Sequence, residues 1–391
     1  MKTYARNAGM VAALAASLLF SGCNSSSSSS STTTIPPQTS PAYVYLQAPQ
    51  VSLNTKLALA GDVKALRSLI AELRKKVRRT LLTAKVERAL SKADIAPAAT
   101  PIASSGIDLY FVAAGSSSPV KLNTDSIIIF TGVALSPDGT EVAYTALDAS
   151  QTSQLYLAPV SNFSQATQLT SGTAYDYAYP VFSPDGKTIA TTVATVSHTS
   201  GTLGLATIPV AGGQPAILNL GTSVGLAGAA VFTADSAHLV FSASPSSALE
   251  QPAYVAIYEC NLDGSGVKQL SNPSDSADYD LLPSVSASGS TIVFTRLVQS
   301  SSALKVSANI VSIPLTGETA SQAATPLTTD NTSLWGSFVG STTNSRILYT
   351  DLNVTTGGST PALAAATLYE MNNDGSNRQQ VASLTGGAVF P

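Results

Sequence analysis

Residues 182–191 read FSPDGKTIAT. An apolar residue precedes Ser183-Pro184-Asp185-Gly186, and an alternating run follows from Thr188 to Thr191. Pro presets φ at the first corner of a turn and Gly accepts a positive φ at its end, so the phrase reads as strand, tight turn, antiparallel strand. The same phrase stands at 135–144 as LSPDGTEVAY. It returns in altered form at 232–241 (FTADSAHLVF), 285–294 (VSASGSTIVF) and 339–349 (VGSTTNSRILY). The equivalents of Ser183 are Ser136, Thr233, Ser286 and Gly340, so the steps along the chain are 47, 50, 53 and 54 residues. Units of strand and turn at that period predict a propeller or array.

A second phrase alternates with the first: LYFVAAG (109–115), LYLAPVS (155–161), LATIPVAG (205–212), IYECNLDG (257–264), IVSIPLTG (310–317) and LYEMNNDG (368–375). Each is an apolar strand ending in a turn that contains Gly or Ser. Six copies of this strand against five of the turn unit leave the first copy without an inner partner, while AVFP at 388–391 resembles the start of PVFSP at 180–184. Joining the two ends would complete a blade and hide the edge strands of an open array. The expected fold is all-β, a six-bladed β-propeller closed by N- and C-terminal strands sharing one blade. That blade is one strand short unless residues 43–47 supply it.

These phrases resemble the WD40-like repeats of the TolB-type propellers. That family's pattern is an apolar residue with Ser-Pro-Asp-Gly, an alternating strand, then Leu-Tyr and a strand ending in Asp-Gly. The resemblance covers about 107–391 and is carried most strongly by Ser136-Pro137-Asp138-Gly139 and Ser183-Pro184-Asp185-Gly186. It implies a six-bladed ring with a binding role in the cell envelope. It fixes no ligand, because a fold is not a function.

Before the repeats, Lys2 and Arg6 precede an apolar run, Ala8–Phe20, too short to span a bilayer comfortably. It reads as a secretion signal. Its end, Phe20-Ser21-Gly22-Cys23, resembles a bacterial lipobox, which implies cleavage before Cys23 and acylation of its thiol and new amine. Several acyl chains anchor stably where one is marginal. The expected organisation is a lipoprotein signal peptide at 1–23, a Ser/Thr/Pro tether at 24–42, a short strand plus a basic amphipathic helix at 43–100, and the propeller at 101–391. The helix is placed at 61–93, where Val63, Leu66, Ile70, Leu73, Val77 and Leu81 recur at steps of three and four. Lys64, Arg67, Arg74, Lys75 and Lys76 lie between them. Two surfaces compete for it, the propeller itself and an anionic envelope surface.

Charge divides unevenly. Residues 56–94 hold eleven Lys/Arg and four Asp/Glu, a net +7, whereas 101–391 hold seven and nineteen, a net −12. An acidic body argues against nucleic acid as its partner. The two cysteines, Cys23 and Cys260, imply no disulfide framework. Cys260 reads as a packed strand thiol, with a reactive thiol as the alternative.

Catalytic patterns are scarce. His198 and His238 sit in different repeats and supply no metal set. There is no GxSxG elbow and no phosphate loop. Asp263-Gly264-Ser265-Gly266 and Asn372–Asn377 lack the spacing of an EF-hand and read as hairpin turns. The expectation is a protein that is not an enzyme, with no catalytic residue, no metal and no cofactor. Candidate ligand contacts are Tyr175, Asp176 and Tyr177, then Asp278, Tyr279 and Asp280, then Trp335, all just before an inner strand. Aromatic faces beside carboxylates suit a glycan or a peptide. The expected role is an exported, lipid-anchored binding or scaffold module at the periplasmic face or cell surface, holding a protein, peptide or glycan and attached to the membrane through Cys23. The alternatives are a polysaccharide-active hydrolase or lyase and a Tol–Pal-like complex subunit.

Overall fold

The computed structural model describes residues 43–47, 108–113, 120–122, 129–148, 152–195, 203–222, 224–245, 254–273, 279–299, 306–319, 321–339, 345–355 and 362–385. They form six antiparallel sheets, five of them four-stranded, in a β-propeller arrangement. The first sheet holds β1 (Tyr43–Gln47), β2 (Asp108–Val112) and β3 (Val120–Lys121). The second holds β4 (Ile129–Leu135), β5 (Glu141–Leu147), β6 (Ser153–Pro159) and β7 (Thr167–Gln168). The third holds β8 (Tyr175–Phe182), β9 (Thr188–Thr195), β10 (Leu203–Pro209) and β11 (Ala216–Ile217). The fourth holds β12 (Val224–Phe232), β13 (His238–Pro245), β14 (Ala256–Asn261) and β15 (Lys268–Gln269). The fifth holds β16 (Tyr279–Val285), β17 (Thr291–Gln299), β18 (Val306–Pro314) and β19 (Thr325–Pro326). The sixth holds β20 (Ser333–Val339), β21 (Arg346–Thr355), β22 (Ala362–Asn372) and β23 (Gln379–Thr385).

The repeated turn sets the register. The pairs closing the first hairpin of each four-stranded sheet are Leu135↔Val142, Phe182↔Ile189, Phe232↔Leu239, Val285↔Ile292 and Val339↔Arg346, always seven residues apart. In the first complete hairpin Ser136 Oγ donates to Asp138 Oδ1 (2.6 Å) and accepts the Glu141 N–H (2.9 Å), while Thr140 N–H reaches the same carboxylate (3.0 Å). Ser183 and Asp185 repeat this, as do Thr233 and Asp235. Gly139, Gly186 and Gly289 sit at φ of 74°, 71° and 69°, and Ser236 takes the same place at 61°. Successive turns meet: Asp185 N–H donates to Ser236 Oγ at 3.2 Å.

The core lies between sheets. Leu109 of the first packs with Val142, Tyr144, Ala158 and Phe163 of the second. Ala143, Leu155 and Leu157 pack on Ile189, Ala206 and Ile208 of the third. The same pattern joins the third to the fourth, the fourth to the fifth and the fifth to the sixth. Side chains such as Phe241, Phe294 and Tyr349 are fully buried there, and each contributes roughly 1.5–3 kcal/mol by leaving water.

In the first sheet Tyr45↔Tyr110 and Tyr110↔Lys121 match Tyr144↔Tyr156 and Tyr156↔Gln168 of the second. Residues 43–47 therefore take the second-strand place. The expected inner strand at 388–391 lies outside the described residues, as do the signal peptide at 1–23, the tether at 24–42 and the helix at 61–93.

Candidate functional site

The inner strands β4, β8, β12, β16 and β20 follow one another as neighbours and start at one end of the arrangement. Alternation in a strand sends successive side chains to opposite sides. Counted back from Phe182 and Val285, Asp176 is equivalent to Tyr279 and Tyr177 to Asp280. The first pair is half-buried, while Tyr177 is 4% exposed and Asp280 0%. Tyr177 and Asp280 are buried against the neighbouring sheet.

Asp280 is held by two sheets. Arg296 Nε and Nη2 reach its two oxygens at 2.7 and 2.8 Å. Ser271 Oγ, from the end of the fourth sheet, donates to Oδ2 at 2.6 Å. The Asp280 N–H donates to Val255 O at 2.9 Å. Arg296 also reaches Glu318 at 3.0 Å. Burial pushes the Asp280 carboxyl up, against the pull of Arg296 and Ser271.

Asp176 makes a comparable link between the second and third sheets. Its Oδ1 accepts the Ser153 N–H at 2.7 Å, and Ser153 Oγ donates to Tyr177 O at 2.8 Å. Burial, with Asp148 nearby, raises the Asp176 carboxyl above the ordinary aspartate value, while the Ser153 N–H opposes the rise. From the second sheet to the fifth, the third strand thus touches the next inner strand. Parallel bridges Val255↔Tyr279 and Ala308↔Thr332 stand at equivalent places. A hydroxyl at the end of the outer strand secures the third strand: Thr170, Ser271 and Thr328 accept the N–H of Leu155, Ile257 and Ile310 at 2.8–2.9 Å.

Each inner strand carries an irregularity halfway along, at 178–181, 227–230, 281–284 and 334–337, with a fourth-residue shift at 129–133 in the second sheet. Tyr179 and Leu282, each just before a proline, have φ of 51° and 56° there. Trp335 and Gly336 occupy the same place in β20. Bulges re-aim side chains along the strand that lines a propeller's axis. Tyr175, Asp176 and Tyr279 are half-buried at the start of β8 and β16, and Asp278 lies outside the described residues. Trp335 begins the irregular stretch of β20, the neighbour of β16.

Sequence reading missed the Arg296 and Arg378 clamps. Arg378 reaches Asp330 at 2.8 Å and Asp351 at 3.0 Å, and stacks its guanidinium 4.0 Å from the Tyr369 ring centre and 5.2 Å from that of Tyr349. Each clamp joins residues far apart in sequence, so no local pattern announces it.

Elsewhere, Cys260 is fully buried, and burial pushes its thiol up to about 12, with Asp263 and Glu259 adding to the rise. Such a thiol is inert at neutral pH. Asp263 and Asp374 accept bonds from the hydroxyls and N–H groups of Ser265 and Ser376 in their own hairpin turns. His238 stands 3.9 Å from Asp235 at the third Ser-Pro-Asp-Gly-like turn, and His198 lies outside the described residues. Among the described residues no helix is long and apolar enough to cross a membrane.

Solved structures share this arrangement at low identity. TolB from Acinetobacter baumannii superposes with a TM-score of 0.52 at 20% identity, over 73% of this chain and 61% of that one. Hydrazine synthase from Kuenenia stuttgartiensis gives 0.53 at 12% identity, over 73% and 42%. An oligogalacturonate lyase from Vibrio parahaemolyticus gives 0.48 at 12% identity, over 71% of each chain. This chain spans about three fifths of the TolB chain it matches. No family model matches the sequence and no curated protein is similar to it.

Proposed function

We propose that the chain is an exported, lipid-anchored binding or scaffold module, a six-bladed propeller whose ligand sits where the inner strands begin. The observation that carries this is the convergence of neighbouring inner strands on one end, with Tyr175, Asp176 and Tyr279 only half-buried there. Aromatic area beside a carboxylate suits a glycan hydroxyl face or a peptide amide. The sixth blade is completed by residues 388–391 pairing inside β1, because β1 and β2 already fill the second and third places. The Phe20–Cys23 lipobox supports anchoring through an acylated Cys23, at the periplasmic face or the cell surface. The TolB likeness supports the fold and, by analogy alone, an envelope setting.

The test is a glycan and peptide screen on the purified protein, read by fluorescence of Trp335, the single tryptophan. A ligand whose signal is lost in Tyr175→Ala and Asp176→Ala supports the reading. Turnover of a polysaccharide in place of simple binding overturns it in favour of an enzyme. Labelling with a radioactive fatty acid tests the anchor, which Cys23→Ala abolishes.

A further inference from the structure

The outer edges of the sheets are not alike. Among the described strands the outer ones of the first five sheets, β3, β7, β11, β15 and β19, are two residues long, whereas β23 runs for seven, Gln379–Thr385. A short outer strand offers a passing chain little backbone to pair with, and a charge or a proline on it adds to the protection. β3 and β15 carry Lys121 and Lys268, and β19 carries Pro326. β23 reads QQVASLT, with no charge and no proline.

The extra length has a local cause. Gln168, Gln269, Pro326 and Gln380 stand opposite Tyr156, Tyr258, Val311 and Tyr369. Two residues on come Thr170, Ser271, Thr328 and Ala382. The first three use a hydroxyl to accept the N–H of Leu155, Ile257 and Ile310, and their outer strands end before it. Ala382 has no hydroxyl to offer, and it stands in strand register with Leu368. After one extra residue, Val381, the pairing therefore runs on to Ala365↔Thr385. β22 occupies one side of this strand. Among the described residues nothing pairs with the other side, and Gln379 and Gln380 are exposed. The backbone groups of an antiparallel strand alternate in direction, so those of β23 that point away from β22 form a ready template for a further strand.

We infer that β23 is an interaction edge whose occupant is β23 of a second copy, the two strands antiparallel about a two-fold axis. The sixth sheet then runs on from one molecule into the other, by the strand-addition mode of recognition. The residues of β23 suit their own copy. Two identical strands paired about an axis set like charges close together wherever a charged residue lies near that axis, which is destabilising. β23 has none, and Arg378 just before it is held by Asp330 and Asp351 of its own chain. A two-fold contact is also closed, because it uses the long edge of both copies and propagates no further. The inference stands apart from the proposed ligand surface and from acylation of Cys23.

Light scattering and hydrogen exchange on the full chain carrying Cys23→Ala, which keeps acyl chains from joining copies, test this. The mass rises from one chain to two as concentration increases, and exchange at 379–385 slows several-fold over the same range. With the axis near the middle of the strand, residue 383 of each copy lies within about 8 Å of the other. Ser383→Lys and Ser383→Glu therefore each weaken the dimer several-fold, and an equal mixture of the two restores it. Four results overturn the inference: a single-chain mass at every concentration, protection that rises elsewhere and not at 379–385, a dimer that both charged variants form as readily as the parent, or assembly beyond two chains. Where circular dichroism shows that a charged variant has not folded, the exchange pattern of the parent decides alone.

Discussion

Arg296 meets Asp280 edge to edge, Nε to Oδ1 at 2.7 Å and Nη2 to Oδ2 at 2.8 Å, with the carboxylate wholly out of water. Ser271 from the preceding sheet donates a third hydrogen bond, to Oδ2 at 2.6 Å. A buried, fully bonded pair of this kind is costly to halve, because the partner left behind is a charge without compensation. Asp280→Ala is expected to lower unfolding free energy by about 3–5 kcal/mol, whereas Asp280→Leu with Arg296→Met loses much less than the two single changes together. Urea titrations of the four proteins give the coupling. A loss under about 1 kcal/mol for Asp280→Ala contradicts the clamp.

The hairpin aspartates make stability depend on acid. Bonds from Ser136, Ser183 and Thr233, each the largest cause, hold Asp138, Asp185 and Asp235 below the ordinary aspartate value. Their folded values are thus lower than their unfolded ones. The stability they contribute is present above about pH 4 and is lost as pH falls through the folded values. The triple variant Asp138→Asn, Asp185→Asn, Asp235→Asn should melt below the parent at pH 7, with the gap closing toward pH 3. A gap that stays constant with pH argues against this origin.

Much of the architecture was legible because it is local. The Ser-Pro-Asp-Gly turn sets the seven-residue closure, and the closure persists at Val339↔Arg346 although the motif itself is gone from VGSTTNSRILY. The third-strand phrases matched β2, β6, β10, β14, β18 and β22. Which of the candidate residues are buried was not legible. Tyr-Asp-Tyr and Asp-Tyr-Asp look alike in sequence, yet Tyr177 and Asp280, which share one position relative to the turn, are the buried members, because the irregularity between them and the turn resets the alternation. Nothing in TIVFTRLVQ marks Arg296 as the partner of a residue sixteen positions earlier. The shift at Tyr179 and Leu282 was hidden as well, since Pro180 and Pro283 signal a bend but not a positive φ in the residue before them.

Ser236 stands where the other turns have Gly, at φ 61°. A side chain in the left-handed region costs roughly 1–2 kcal/mol, which Gly avoids at some loss of unfolded-state order. Ser236 offsets some of this by accepting the Asp185 N–H at 3.2 Å. Ser236→Gly is expected to raise stability by about 0.5–1 kcal/mol, seen as a higher urea midpoint with an unchanged slope. A lower midpoint means that the contact to the neighbouring turn outweighs the backbone relief.

The glycine of the hairpin between third and fourth strands does two jobs, and two positions separate them. Gly212 and Gly264 both have positive φ, 88° and 86°. At Gly212 an added Cβ meets nothing within 4 Å, whereas at Gly264 it lies 2.7 Å from the Asn219 backbone of the preceding sheet. Gly375 approaches Leu327 O in the same way, at 2.8 Å, between the fifth and sixth sheets. Gly212→Ala therefore carries only the backbone strain, about 1–2 kcal/mol. Gly264→Ala carries the strain and also forces two sheets apart, so it should cost at least about 1 kcal/mol more, in the range of overpacked cores. Equal losses at the two sites in parallel urea titrations would show that the hairpin tip does not seat against its neighbour, and the contact between the third and fourth sheets would then rest on the Leu239 and Phe241 layer alone.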